Sequence, residues 1–180
     1  MTPRRTLLAA WLAVAAALWL PGCARYYYGD QAVAQADLVE ASHRAADELL
    51  QRAPLDPREG VLVATLVSVD RLGESSRFGR LLSEQIAGRL TQRGLRVTEL
   101  RLREDIALQP GQGELLLSRE LRDVARSHPA QAAVVGTYAV SAHQVFVSLK
   151  LVRPQGNEVV AAYDYALPMD GNVRALLMGR

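Results

Sequence analysis

Hydrophobic and polar positions change rhythm several times along the 180-residue chain, and each change predicts an element. From Leu7 to Leu20 no residue is charged; a basic start, MTPRR, precedes this run and a small-residue end, PGC, follows it. Beyond it, Val33, Ala36, Val39, Ala46, Leu49 and Leu50 recur mostly three and four residues apart. They predict an amphipathic helix over Gln31–Arg52, packed along one side and broken by Pro54 and Pro57. The apolar run VLVATLVSV reads as a buried strand, followed by a polar loop, RLGESS. Phe78, Leu82, Ile86 and Leu90 recur every four residues and predict a helix over Phe78–Arg93, capped by Ser75 or Ser76 and stopped by Gly94. LRVTELRL alternates poorly, as a strand nearer a sheet edge does. A long loop, REDIALQPGQGE, leads to a third helix, LLLSRELRDVARSH, ended by Pro129. AAVVGTYAV is a buried strand whose Gly136 suggests a bend or a close backbone approach. VFVSLKLVR and EVVAAYDYAL alternate around the turn PQGN. Val145, Val147, Leu149 and Leu151 share one face with Val159, Ala161, Tyr163, Tyr165 and Leu167, and NVRALLM closes the chain as a short helix.

The order is therefore α-β-α-β-α-β-β-β with a terminal helix, an α/β (α+β) chain with a single mixed sheet of about five strands packed with helices. Strand-helix-strand units favour parallel crossovers, whereas the closing hairpin is antiparallel. Composition agrees: 49% hydrophobic and 22% charged residues suit one globular domain with a real core. A single cysteine forms no internal disulfide, so packing must hold the fold.

Basic start, apolar run and small-residue end are the three parts of an export signal. As a membrane span the run is too short, since roughly 14 helical residues rise about 21 Å against a hydrocarbon core of about 30 Å. Leu20-Pro21-Gly22-Cys23 resembles the lipobox of bacterial lipoproteins, with Pro21 where a smaller residue is commoner. The resemblance implies a signal peptide over residues 1–22 and lipidation of Cys23 at the mature N-terminus, with a short tether over 23–30 and the domain over 31–180. Three acyl chains would anchor it permanently, because even one contributes about 0.8 kcal/mol per buried CH₂. Ala24 stands where an aspartate favours inner-membrane retention, so outer-membrane sorting with a periplasmic-facing domain is the expectation. Seven tether residues span at most about 25 Å, and the first helix as a stalk would add about 33 Å, which keeps the domain close to that membrane.

Charge narrows the partners. Removing Arg4 and Arg5 from the 21 basic residues leaves as many as the 19 acidic ones, so no cationic footprint for nucleic acid remains. On the second helix Arg80, Arg89 and Arg93 form a face that can meet an acidic protein or peptidoglycan carboxylates. Arg80 and Glu84 are spaced for an i,i+4 pair. Catalytic constellations do not assemble. GESSRFGR sits where a phosphate loop would, but Gly73 and Gly79 are one residue too far apart, and no Ser or Thr follows Arg80 to hold magnesium. His43, His128 and His143 lack metal-ligand spacing. Ser118, Asp123 and His128 lie five residues apart along one predicted helix and do not converge. The expectation is a non-enzymatic protein without metal or cofactor.

Three stretches carry a wider resemblance: LVATLVSVDRLGESSRFGRLLSEQIAGRLTQRGLRVTELRLREDIAL, GELLLSRELRDVARSHPAQAAVVGTYAV and VFVSLKLVRPQGNEVVAAYDYALP. Together they closely resemble the FlgO family of outer-membrane proteins, first associated with the bacterial flagellum. The most specific pieces are Gly79-Arg80 with the following Leu-Leu, Thr91-Gln92-Arg93-Gly94, Leu117-Ser118-Arg119 and Val135-Gly136-Thr137-Tyr138. The resemblance implies a structural role in flagellar assembly and motility, within a ring around the basal body, and supplies no catalytic residue. Flagellar or envelope proteins, peptidoglycan and a second copy of the chain are the candidate partners. The general fold also looks similar to that of outer-membrane lipoproteins which activate peptidoglycan synthases, the alternative reading.

Overall fold

Asp37 decides where the first helix begins. Its carboxylate accepts the backbone N–H of Glu40 at 2.8 Å, which makes it the N-cap of α1, Leu38–Arg52. The helix therefore starts several residues later than the spacing from Gln31 predicts. Burial begins at Ser42 and runs through Ala45, Ala46 and Leu49, while Val39, one turn earlier on the same stripe, is 49% exposed. A computed structural model describes residues 35–100 and 130–178. The chain divides into two units, Met1–Ala32 and Val33–Arg180, and every described residue belongs to the second. Cys23, its tether, the loop REDIALQPGQGE and the expected helix LLLSRELRDVARSH lie outside the described residues.

The apolar run after Gly60 does not stay one strand. Strand β1, Gly60–Ala64, pairs in parallel with β5, Ala130–Val140, placing Val63 beside Val134. Strand β2, Val67–Ser68, resumes the pairing with Val67 beside Thr137. Four steps along the first run thus match three along β5, and Thr65 and Leu66 fall out of the ladder. Their amides are satisfied elsewhere: Thr65 N–H donates to the Leu100 carbonyl at 3.2 Å and Leu66 N–H to Ser83 Oγ at 2.9 Å. The expected polar loop RLGESS is itself mostly strand, β3, Arg71–Ser75, antiparallel to β2. Backbone pairing at a sheet margin needs no apolar side chains, which is why hydropathy hid it. These two departures raise the expected five strands to seven within one mixed sheet among the described residues.

Helix α2 spans Arg77–Gln92, close to its expected bounds, with Ser76 as the cap accepting Gly79 N–H at 2.9 Å. Its end follows from glycine: Gly94 takes φ +87°, Gly94 N–H donates to Thr91 O and Leu95 N–H to Leu90 O. Strand β4, Arg96–Leu100, pairs with β1 and ends the strand order β3-β2-β5-β1-β4 among the described residues, matching its poor alternation. Antiparallel β6, Gln144–Arg153, and β7, Glu158–Pro168, extend the sheet from β5, and α3, Gly171–Met178, follows.

Helices α1, α2 and α3 pack on one sheet face. Leu49, Phe78, Leu82, Ile86, Leu90 and Val173 meet Val61, Val63, Val134, Val147, Leu149 and Leu151 there. Of the hairpin residues expected inward, Val159 is corrected. Leu151 faces Ala161 while Val152 faces Val159, so Val160 is an unopposed bulge that turns Val159 to the other face, 49% exposed. A smaller cluster, Leu62, Ala64, Ala130, Ala133, Val135 and Val152, lies on that second face.

Candidate functional site

Two of the three arginines singled out from the sequence are held by one carboxylate. Arg89 grips Asp47 of α1 with Nε and Nη2 at 3.1 and 2.7 Å, and Arg93 does so with Nε and Nη2 both at 2.8 Å. Two forks on one acceptor join α1 to α2. The Arg93 guanidinium first, and Arg89 with it, hold the Asp47 carboxyl well below the usual carboxylate range. Arg93 still leaves half of its side chain exposed, whereas Arg89 is 26% exposed. Arg80 lies exposed on the first turn of α2 and is also engaged in an interaction. The three therefore do not form one free basic face: Arg89 belongs mainly to the helix pair.

The start of α2 is a packing knot. Tyr138 Oη donates to Ser76 Oγ at 2.7 Å and its ring meets Phe78 edge-on, centroids 5.1 Å apart. Ser83 Oγ accepts Leu66 N–H and donates to Gly79 O at 2.8 Å. A Cβ on Gly79 would stand 2.0 Å from Leu66 O, and one on Gly136 would stand 2.6 Å from Leu149 Cδ2 and 3.0 Å from Leu66 Cγ. Gly136 is the close approach its place within a strand suggests. GESSRFGR thus builds a capped helix start against a broken strand.

The second face of the sheet carries a feature that hydropathy alone did not single out. Where β5, β6 and β7 run together, a groove of about 390 Å³ opens among Val69, Thr137, Ala139, Phe146, Ser148 and Asp164. Cross-strand pairing arranges it in rows: Thr137, Ser148 and Asp164 form one, and Ala139, Phe146 and Ala166 the next. Phe146 is 51% and Val69 47% exposed, and Ser148 Oγ donates to Asp164. The outward phase of VFVSLKLVR, in which Phe146 alternates with inward Val145 and Val147, is the signal that would have found it. An apolar floor with one carboxylate suits recognition of another surface.

Among the described residues no group of three or more His, Asp or Glu side chains is placed to hold a metal. His43 lies on α1 and His143 in the β5–β6 turn, while Ser118, Asp123 and His128 are outside the described residues. No helix among the described residues is long and apolar enough to cross a membrane.

Comparison with known proteins gives a family and a fold. The family model described as FlgO protein matches residues 43–172. No curated protein matches the chain. The LpoB C-terminal domain from Salmonella enterica superposes with TM-score 0.53 at 13% identity, over 73% of this chain and 98% of that domain. The same domain from Escherichia coli gives the same values, TM-score 0.53, 13% identity, 73% and 98%. At such identity the likeness concerns the fold, an α/β arrangement with one mixed sheet.

Proposed function

Because the chain belongs to the FlgO family, we propose that it is an outer-membrane lipoprotein, anchored through acylated Cys23, with a structural, non-enzymatic role in flagellar assembly and motility. The observation that carries this reading is the family match over residues 43–172 in a chain whose one cysteine closely follows a basic start and an uncharged apolar run. Its contacts are protein-protein contacts on the periplasmic side, and it uses no cofactor.

Reach supports a local partner. Helix α1 is packed against α2 and the sheet through Ser42, Ala45, Ala46 and Leu49, so it is no stalk. Ala36 is already tied to the fold, its N–H donating to Asp170 Oδ2 at 2.8 Å. Between Cys23 and Ala36 the chain can extend at most about 45 Å. That distance favours an assembly at the outer membrane over an enzyme seated in the inner one. Regulation of a peptidoglycan synthase, the second reading from the sequence, requires the longer reach.

Deleting the gene and scoring swimming and the integrity of flagella tests the proposal. Loss of motility, restored by the wild-type chain and not by Cys23→Ser, is the expected result. Normal swimming with altered wall synthesis would overturn it in favour of the second reading.

A further inference from the structure

We infer that the groove on the second face of β5, β6 and β7 docks a protein partner that lays an apolar side chain over Phe146 and sets a lysine or arginine against Asp164. The same strands carry a contrast. Toward one end this face is covered, with Ala133 fully buried and Val135 and Val152 each 7% exposed. Two to three cross-strand rows further on it opens, with Phe146 about half exposed at 51%. An aromatic ring near the turn end of β6, flanked by β5 and β7 and with Val69 and Ala139 beside it, is an apolar surface that water covers only at a cost.

The charge on the groove selects among occupants. Asp164 carries its rim, and its hydrogen-bond donor among the described residues is the neutral hydroxyl of Ser148, which orients the carboxylate and leaves its charge in place. Lys150, two positions along β6, is already engaged in an interaction. A basic group from outside meets that carboxylate with charge complementarity, which fixes register as well as strength. Neighbouring rows on one face are about 7 Å apart along a strand. The partner therefore presents its apolar and basic side chains about 7 Å apart, as residues two apart in a strand or one turn apart in a helix do. The envelope location of this partner rests on the anchored reading above, whereas the groove chemistry does not.

The test places benzoylphenylalanine at Phe146 of the full-length chain and irradiates intact cells, with the same residue at Glu40 on the exposed side of α1 as control. The expected result is an adduct to a different protein from position 146 only, with its adducted peptide bearing Lys or Arg close to an apolar residue. Asp164→Lys should reduce that adduct at least tenfold and Asp164→Asn should weaken it, with protein level and melting temperature retained in both. No adduct at 146, equal adduct at position 40, insensitivity to Asp164→Lys, or a peptide without a basic residue would each overturn the inference. An adduct built only of this chain's own peptides would also overturn it and assign the groove to a second copy. Palmitate incorporation in the same cells separates the two proposals: a lost adduct with labelling intact counts against the groove alone.

Discussion

At the scale of single residues, space and charge make sharp predictions. Two glycines of α2 should respond to alanine with opposite sign. Gly79→Ala drives a methyl against the Leu66 carbonyl, 2.0 Å away, and should cost about 1–3 kcal/mol. Gly88→Ala, in an exposed helical position with nothing within 4 Å, should stabilise by about 0.5–1 kcal/mol. Denaturant titration of the two variants reads both. Tyr165 is a further case. Burial pushes its hydroxyl up to about 12, and it lies beside Ser42, whose Oγ donates to Gln85 Oε1 at 2.9 Å, without full hydrogen-bonding geometry to a partner of its own. Tyr165→Phe should therefore leave stability within about 0.5 kcal/mol of wild type or raise it, since a buried hydroxyl without a well-placed partner contributes little. Asp47 gives the pH dependence. Its carboxyl is lower in the folded than in the unfolded state, so its contribution is complete above the unfolded value, near 3.8, and is lost as pH falls toward the folded one. Asp47→Asn should cost on the order of 1 kcal/mol at neutral pH after allowing for solvent screening, and the gap to wild type should close progressively below about pH 4.

At the scale of elements, the ends matter more than the middles. Asp170, 5% exposed, accepts Val173 N–H with Oδ1 at 2.8 Å and Ala36 N–H with Oδ2 at 2.8 Å. Burial alone would raise its carboxyl, but the amides of Val173, Ala36 and Asn172 together hold it below the usual range. One carboxylate thus starts α3 and pins the segment leading into α1. Asp170→Ala leaves two donors unpaired and should cost about 1–3 kcal/mol, with hydrogen exchange accelerating at Ala36 and Val173 before the strands respond. Both ends of α2 were legible in the sequence because capping is local: Ser76 at its start and Gly94 at its stop act within a few residues of themselves. The start of α1 was equally local, an Asp37-x-x-Glu40 pattern, but the apolar spacing from Val33 onward masked it. The split of β1 from β2 and the pairing of β3 were not legible. The split depends on β5, about seventy residues away in sequence, whose register sets where the first run must slip by one residue, whereas β3 pairs with its near neighbour β2 and was hidden by its polar side chains.

For the whole molecule, anchoring and folding separate. Wild type should incorporate radiolabelled palmitate and Cys23→Ser should not, while the purified Cys23→Ser domain is expected to melt where the wild-type domain does, because α1, α2, α3 and the sheet build the core of the described residues among themselves. The mixed α/β class, the alternating hairpin and the family were legible in the sequence. Class and hairpin rest on periodicity, composition and short-range capping, which each segment expresses whatever its neighbours do, whereas the family rests on the resemblance of particular stretches. Three things waited for the tertiary structure: that Asp47 ties up Arg89 and Arg93, that Gly79 and Gly136 close on Leu66, and that Phe146 stands half exposed beside Asp164. Each is a contact, or a missing one, between segments far apart in the chain. Hydropathy can mark Phe146 as outward, but only the packed sheet decides which part of its outer face is covered and which is left for another molecule.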